Sequence, residues 1–157
     1  MKTTLRIFTC ILLIAMTLTS LSSCADPYIE AGASQSTYSG ISINVVRVDY
    51  STERPTLEVE WSNSTLYEVV YGAYYVIERF DDGEWINCMK DDIGFIEIAY
   101  VLDAESKTEN RYSLKNANIS KEGLYRIRTE CYVHEGEENS EHCSLYATFT
   151  VEYNYTF

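Results

Sequence analysis

Short segments that alternate apolar and polar residues follow one another along most of the chain. The alternation is clearest in TLEVEW, where Leu57, Val59 and Trp61 fall on one face and Glu58 and Glu60 on the other. A period of two residues is that of a β-strand with one buried face. This segment therefore predicts a strand that covers a hydrophobic core.

Two further segments predict a β-hairpin. YEVVYGAYYVIERF is rich in β-branched and aromatic residues, and Asp82-Gly83 separates it from EWINC. An Asp-Gly pair suits a two-residue turn in which both residues need a positive φ. Further strands are predicted in FIEIAYVL, TENRYSLK, GLYRIRTECYV and CSLYATFTVEY. The pattern favours an all-β sandwich of about seven to nine antiparallel strands, in one domain over residues 41–157.

The first residues have the pattern of an export signal. Lys2 and Arg6 precede an apolar or hydroxylic run over residues 7–21. This run is shorter than the roughly 20 apolar residues that a membrane-spanning helix needs. A charged start followed by a short apolar core is typical of a signal peptide that is removed after export.

Leu21-Ser22-Ser23-Cys24 closes this run. It resembles the lipobox of bacterial lipoproteins, in which Leu and two small residues precede an obligatory cysteine. The resemblance implies that residues 1–23 are a lipoprotein signal peptide and that the Cys24 thiol carries a lipid. Two acyl chains give stable anchoring, so the protein is expected on the extracytoplasmic face of a bacterial cell membrane. The alternative is an ordinary secretory signal that leaves Cys24 as a spare thiol.

The segment after the lipobox has no sustained period. It reads ADPYIEAGASQSTYSG and is rich in Ser, Gly and Ala. Such a composition is typical of a flexible linker. Residues 24–40 are therefore predicted to be a flexible tether between the lipid and the domain.

The chain is strongly acidic. Residues 24–157 hold 10 basic and 24 acidic residues, which give a net charge of −14. This charge argues against nucleic acid, anionic lipid and polyanionic wall polymers as electrostatic partners. It leaves cationic partners, neutral glycans and metal ions open, and solubility alone is the plainer explanation.

One segment has the form of a known sandwich strand. GLYRIR, residues 123–128, looks like the entry to strand F of an immunoglobulin-like domain, where the hydroxyl of Tyr125 can bond back to the preceding corner. The wider pattern consists of spaced aromatic residues and glycines: Tyr71-Gly72, Tyr75-Val76-Ile77-Glu78, Asp82-Gly83-Glu84-Trp85, Ala99-Tyr100 and Gly123-Leu124-Tyr125-Arg126-Ile127. With it, residues 41–152 resemble a bacterial Ig-like domain family found in small lipoproteins and envelope proteins of Gram-positive anaerobes. The resemblance implies an immunoglobulin-like β-sandwich at the cell envelope and no activity.

The sequence departs from antibody-type domains at the centre of the fold. Ile127 stands where those domains have the strand F cysteine, and the strand B segment contains no cysteine. The usual disulfide between the sheets is therefore not expected. Hydrophobic burial must hold the sheets together, centred on Leu57, Val59, Trp61, Tyr125 and Ile127.

Three cysteines follow Cys24. Strand parity places Cys131 and Cys143 on the inward faces of the last two strands, nearly opposite each other if the intervening HEGEENSEH forms a hairpin loop. A disulfide there would add about 3 kcal/mol in the chain-entropy model and suits an exported chain. The alternative is two buried free thiols that act as small hydrophobes. Cys88 is then the unpaired cysteine.

Metal binding is the weaker interpretation of the His and acidic residues. A zinc site from Cys131, His134, His142 and Cys143 needs side chains that a strand directs to opposite faces. The acidic loops suit calcium in chemistry, but none has a regular ligand spacing. No metal or cofactor is predicted, and calcium binding stays open.

The sequence indicates binding rather than catalysis. It contains no nucleophile elbow, phosphate-binding glycine loop or dinucleotide fingerprint, so no catalytic residues are predicted. Tyr67, Tyr71, Tyr74 and Tyr75 are too many for one inward face and form the candidate contact surface. We predict a lipid-anchored binding or accessory module for an envelope or extracellular protein or a neutral glycan. The alternative is an inhibitor or sensor of an envelope protease or receptor, which uses the loop at residues 134–142.

Overall fold

The computed structural model describes residues 32–50, 53–136 and 139–152. Cys24 and the predicted signal peptide lie outside these ranges. The strands within these ranges are β1 (Ser34–Ser36), β2 (Ile41–Asp49), β3 (Thr56–Asn63), β4 (Glu68–Asp81), β5 (Glu84–Asn87), β6 (Ala99–Leu102), β7 (Ser106–Ser113), β8 (Gly123–His134) and β9 (Ser140–Val151). A 3-10 helix, Leu114–Asn116, follows β7.

The strands form two antiparallel sheets. The first sheet has the order β1-β9-β8-β4-β5, and β6 also pairs with β4. The second sheet has the order β2-β3-β7. β6 pairs with the first half of β4 and β5 with its second half, on the edge opposite β8. This arrangement confirms the predicted immunoglobulin-like β-sandwich.

The core lies between the sheets, as the period-two pattern predicts. Leu57, Val59 and Trp61 of β3 are fully buried, and so are Tyr125 and Ile127 of β8. Burial of a large apolar side chain contributes about 1.5 to 3 kcal/mol relative to exposure. The predicted centre of the core is confirmed.

The hairpin between β4 and β5 closes at the predicted Asp-Gly pair. Asp81 lies opposite Glu84 in the register, so the connection has two residues. Asp82 has a φ of 49° and Gly83 a φ of 86°. Positive φ at both positions defines the turn type whose twist matches that of the flanking strands.

Tyr125 fixes the corner before β8. Its hydroxyl donates a hydrogen bond of 2.7 Å to the carbonyl of Lys121. This is the bond expected of a tyrosine corner at the start of strand F. Ile127 follows on the same face, opposite Ile77 and Ala147 of its own sheet. Its side chain is fully buried in the core, at the place where antibody-type domains have the strand F cysteine.

The predicted tether is wrong over its described part. β1 pairs with residues 145–147 of β9, and the amide of Ala33 donates a 2.8 Å hydrogen bond to Thr148 Oγ1. A strand at a sheet edge is held by its backbone hydrogen bonds, so its side chains do not have to alternate between apolar and polar. The Ser-rich composition of residues 32–40 therefore gave no indication of the strand that forms there.

Two further predictions are corrected by the positions of the strand ends. β8 ends at His134 and β9 begins at Ser140, so His134 and residues 140–142 belong to the strands and not to the predicted loop at residues 134–142. The inhibitor hypothesis thus loses its long loop. The strand predicted in FIEIAYVL begins only at Ala99, because residues 88–98 must cross from the half of β4 that pairs with β5 to the half that pairs with β6.

Candidate functional site

A β-bulge interrupts β4. Tyr71 lies opposite Cys131 and Tyr75 opposite Thr129, so residues 72–74 face the single residue Glu130 of β8. Tyr71 and Tyr75 thereby become neighbours on the inward face, while the residues between them leave the regular ladder. Bulges are enriched next to functional sites, where they redirect side chains.

A cleft of about 260 Å³ opens beside this bulge. It lies between β4, the segment that leads to β6, and β7 with the 3-10 helix that follows it. The lining residues are Tyr71, Gly72, Ala73, Tyr75, Gly94, Phe95, Ile96, Tyr100, Asn110, Arg111, Tyr112, Ser113 and Asn116. We call it the tyrosine cleft.

Aromatic rings form the walls of the tyrosine cleft. On one side Tyr71 stacks on Trp61 with ring centroids 4.1 Å apart, and Tyr100 stacks on Tyr71 at 5.3 Å. On the other side Tyr75 meets Phe95 edge-to-face at 5.3 Å. Because Trp61 is fully buried, the first stack runs from the core to the surface.

Hydrogen bonds hold the tyrosine hydroxyls in place. Asn110 Nδ2 donates to the hydroxyl of Tyr71 at 2.9 Å. The hydroxyl of Tyr75 donates to the carbonyl of Ser113 at 2.6 Å and accepts from Asn116 Nδ2 at 2.9 Å. Two amide side chains and two phenols are therefore fixed around one opening.

The tyrosine cleft has one charged lining residue among those that the structure describes, and that residue is paired. Burial raises the pKa of Tyr71, Tyr75 and Tyr112, which we call the buried cleft tyrosines, so their phenols stay protonated at neutral pH. Arg111 lines the cleft but pairs with Glu58 at 2.8 Å. Among the residues that the structure describes, no acidic side chain lines it. An uncharged ligand suits this environment best.

The four tyrosines predicted to form a contact surface fall into two groups, two exposed and two buried. Tyr67 and Tyr74 are exposed, at 40% and 43%. Tyr71 and Tyr75 are only 5% and 4% exposed, so their assignment to an open contact surface is wrong. The bulge brings both rings to the core face, with only their edges toward the cleft.

Other cleft residues carried no signal of a binding site in the sequence, although Ala99-Tyr100 belongs to the family pattern. Tyr100, Asn110 and Asn116 come from β6, β7 and the 3-10 helix. They meet β4 only through the packing of the two sheets. A single sequence does not contain that information, because their local patterns are those of ordinary strands and turns.

The two inward cysteines lie directly opposite each other. Cys131 pairs with Cys143 in the register, and both are fully buried. The predicted position is confirmed, and the structure holds both as thiols. The hydrogen bond between them raises the pKa of Cys131 and lowers that of Cys143, whose Sγ also lies 3.4 Å from Ser36 Oγ. The disulfide itself stays a prediction.

The histidines and Cys88, the other candidate site residues, do not come together in one site. His142 lies opposite Tyr132, with its Nε2 3.4 Å from Glu130, and His134 lies opposite Ser140. Within the described ranges, no three His, Cys, Asp or Glu side chains are grouped as metal ligands. Burial raises the pKa of the Cys88 thiol, which disfavours its reactive thiolate form.

These features agree with the comparison to known families. The family model described as a bacterial Ig-like domain matches residues 37–152, and the chain belongs to this family. Membership suggests an extracellular accessory module, in a family that is typically non-enzymatic. Searches of curated proteins and of solved structures found no match. None of the helices in the described ranges has the length and apolar character to span a bilayer.

Proposed function

We propose that this chain is a lipid-anchored binding module on the extracytoplasmic face of a bacterial membrane, and that the tyrosine cleft is its binding site. The observation that carries the proposal is the cleft itself. It is open and walled by aromatic rings, with amide groups at its rim and a single charged lining residue among those described, Arg111, which is paired with Glu58. Concave sites with apolar walls and a few placed polar groups are the usual form of ligand pockets.

The proposed location follows from the N-terminal sequence and the family. A charged start, a short apolar run and Leu21-Ser22-Ser23-Cys24 support export and lipidation. The family supports an extracellular role for the domain that follows. Cys24 lies outside the described residues, so the anchor depends on the sequence pattern alone.

Metabolic labelling with a fatty-acid analogue tests the anchor. In bacteria that express the full chain, label is expected on the wild-type protein and on Cys10→Ser. It is expected to be absent from Cys24→Ser, since acylation requires that thiol. Equal labelling of the two variants, or none of the wild type, would contradict the anchor.

A matched pair of tyrosine variants tests the binding site. Tyr100 is 39% exposed and lines the cleft, whereas Tyr132 is 51% exposed and lies opposite His142, outside it. The probes are purified cell-wall glycan and detergent-solubilised envelope proteins, each titrated onto the full chain in vesicles. Saturable binding is expected for the wild type and Tyr132→Ala and is expected to be lost in Tyr100→Ala. Binding that both variants retain would place the site elsewhere, and no binding of either probe would contradict the proposed function.

A further inference from the structure

We propose that the tyrosine cleft binds a single uncharged pyranose ring, as part of a neutral glycan. This inference rests on the proposed function and names the ligand class of that same site. It is carried by three properties of the cleft, namely its size, the arrangement of its rings and the hydrogen-bonding groups that remain available at its rim.

The size of the cleft fits one ring. Its volume of about 260 Å³ lies just below the range of roughly 300 to 1,000 Å³ that accommodates drug-sized ligands. A six-membered ring with its hydroxyl groups fits such a space, whereas several consecutive residues of a polymer do not. Neighbouring sugars of a glycan would extend out of the mouth.

The rings suit the faces of a sugar. A pyranose presents C–H groups on its two faces, and aromatic rings attract such polarised C–H groups through their π-electrons. Tyr100 is 39% exposed and stacks on Tyr71 at one side of the cleft, so the Tyr100 ring offers aromatic surface to a ligand. Tyr71 and Tyr75 present only their ring edges, and Phe95 stands beside Tyr75 on the other side.

The rim suits the hydroxyl groups around the ring. In the described part of the chain, Asn110 and Asn116 use one amide N–H each on a tyrosine hydroxyl. Their Oδ1 atoms accept no bond from a described residue, and the hydroxyl of Tyr71 accepts from Asn110 without donating its own proton to one. The rim therefore offers acceptors and donors together. Sugar hydroxyls need both, whereas a proline ring offers no donor.

The charge around the site disfavours acidic sugars. Within the described ranges the one charged lining residue is Arg111, whose guanidinium is already paired with Glu58. The whole chain has a net charge of −12, which repels a carboxylate or phosphate from the surroundings. A neutral sugar avoids both the desolvation of a charge and this repulsion.

The test is calorimetry on the full chain in a detergent without a sugar head group. The probes are the methyl glycosides of glucose, galactose and N-acetylglucosamine, with glucuronate and a proline-rich peptide as alternatives. One neutral glycoside is expected to bind with a Kd on the order of 1 mM, as its small number of atoms allows. Glucuronate is expected to bind at least roughly tenfold more weakly.

Three variants locate the binding. Ala73→Leu places a larger side chain in the cleft and is expected to abolish binding. Asn110→Ala is expected to weaken it by up to about tenfold through a lost hydrogen bond. Tyr132→Phe, outside the cleft, is expected to leave it unchanged. Thermal unfolding of each variant shows whether the fold is intact, and Ala73→Leu keeps the test valid if Asn110→Ala destabilises the domain.

Each other outcome overturns the inference. Sugar binding that Ala73→Leu leaves unchanged would place the sugar outside the cleft. If the proline-rich peptide binds in a manner sensitive to Ala73→Leu and no glycoside does, the ligand class is wrong and the proposed binding module stands. If no glycoside binds and neither wall glycan nor envelope protein is captured, the inference and the proposed function both fail.

Discussion

Oxidation of Cys131 and Cys143 is expected to stabilise the domain without moving its backbone. The Cα atoms of residues directly opposite each other in an antiparallel pair are about 4.5 or 5.5 Å apart. Disulfides occur at Cα separations of about 4.4 to 6.8 Å. Because Cys131 lies opposite Cys143 in the register of β8 and β9, the two thiols are placed for a bridge in the folded state.

The magnitude follows from the length of the closed loop. The segment from Cys131 to Cys143 contains the turn and the adjoining strand ends, and a loop of about 13 residues gives about 3 kcal/mol in the chain-entropy model. Urea lowers the free energy of unfolding of small proteins by about 1 to 3 kcal/mol per molar. The bridge is therefore expected to raise the urea midpoint by about 1 to 3 M.

The assay compares urea unfolding of the exported full chain with and without reductant, in a Cys88→Ser background. Cys131→Ala serves as the second arm, since it has no bridge and its midpoint is expected not to respond to reductant. Peptide mass spectrometry after alkylation reports the state of each cysteine. The reasoning is refuted if Cys131 and Cys143 are both alkylated before reduction and the midpoint is the same in both conditions. The pair would then act as two buried free thiols.

Two further predictions concern the tyrosines. Tyr125→Phe removes the hydrogen bond to Lys121 and is expected to lower the free energy of unfolding by about 1 kcal/mol. Urea unfolding measures this change, with Tyr132→Phe as the control. Equal effects of the two substitutions would contradict the role of this corner. Burial raises the pKa of the buried cleft tyrosines above their ordinary value of about 10. The folded chain then retains protons that the unfolded chain loses, so their contribution is constant below about pH 10 and falls as the pH rises further. Tyrosinate absorbance and circular dichroism are expected to change together in this range, and full ionisation of all tyrosines in a folded protein would contradict it.

Local patterns in the sequence predicted much of the fold. Alternation in β3 identified the buried residues Leu57, Val59 and Trp61, and the Asp-Gly pair located one hairpin. Strand parity placed Cys131 and Cys143 on inward faces, and the assumption of a hairpin loop between the strands placed them nearly opposite each other, as the register has them. These predictions succeeded because each depends on the pleat of a strand or on the φ angles of a turn, and the sequence specifies both directly.

The predictions failed where pairing depends on distant segments. β1 has no apolar pattern because its backbone pairs with β9 at a sheet edge. The bulge in β4 changes which residues of β8 lie opposite Tyr71 and Tyr75, and the local sequence reports only that tyrosines are frequent there. The rim residue Asn110 belongs to the opposite sheet, so its place in the cleft follows from the packing of two layers.

The residues around the bulge in β4 differ in how freely they can change during evolution. Tyr71 stacks on the fully buried Trp61, so a change in this wall alters the stability of the whole sandwich together with the shape of the cleft. Tyr100 and Asn110 lie on β6 and β7, where a substitution leaves most of the core intact. Related domains can therefore diversify in specificity at Tyr100 and Asn110 while Tyr71 stays under selection for folding.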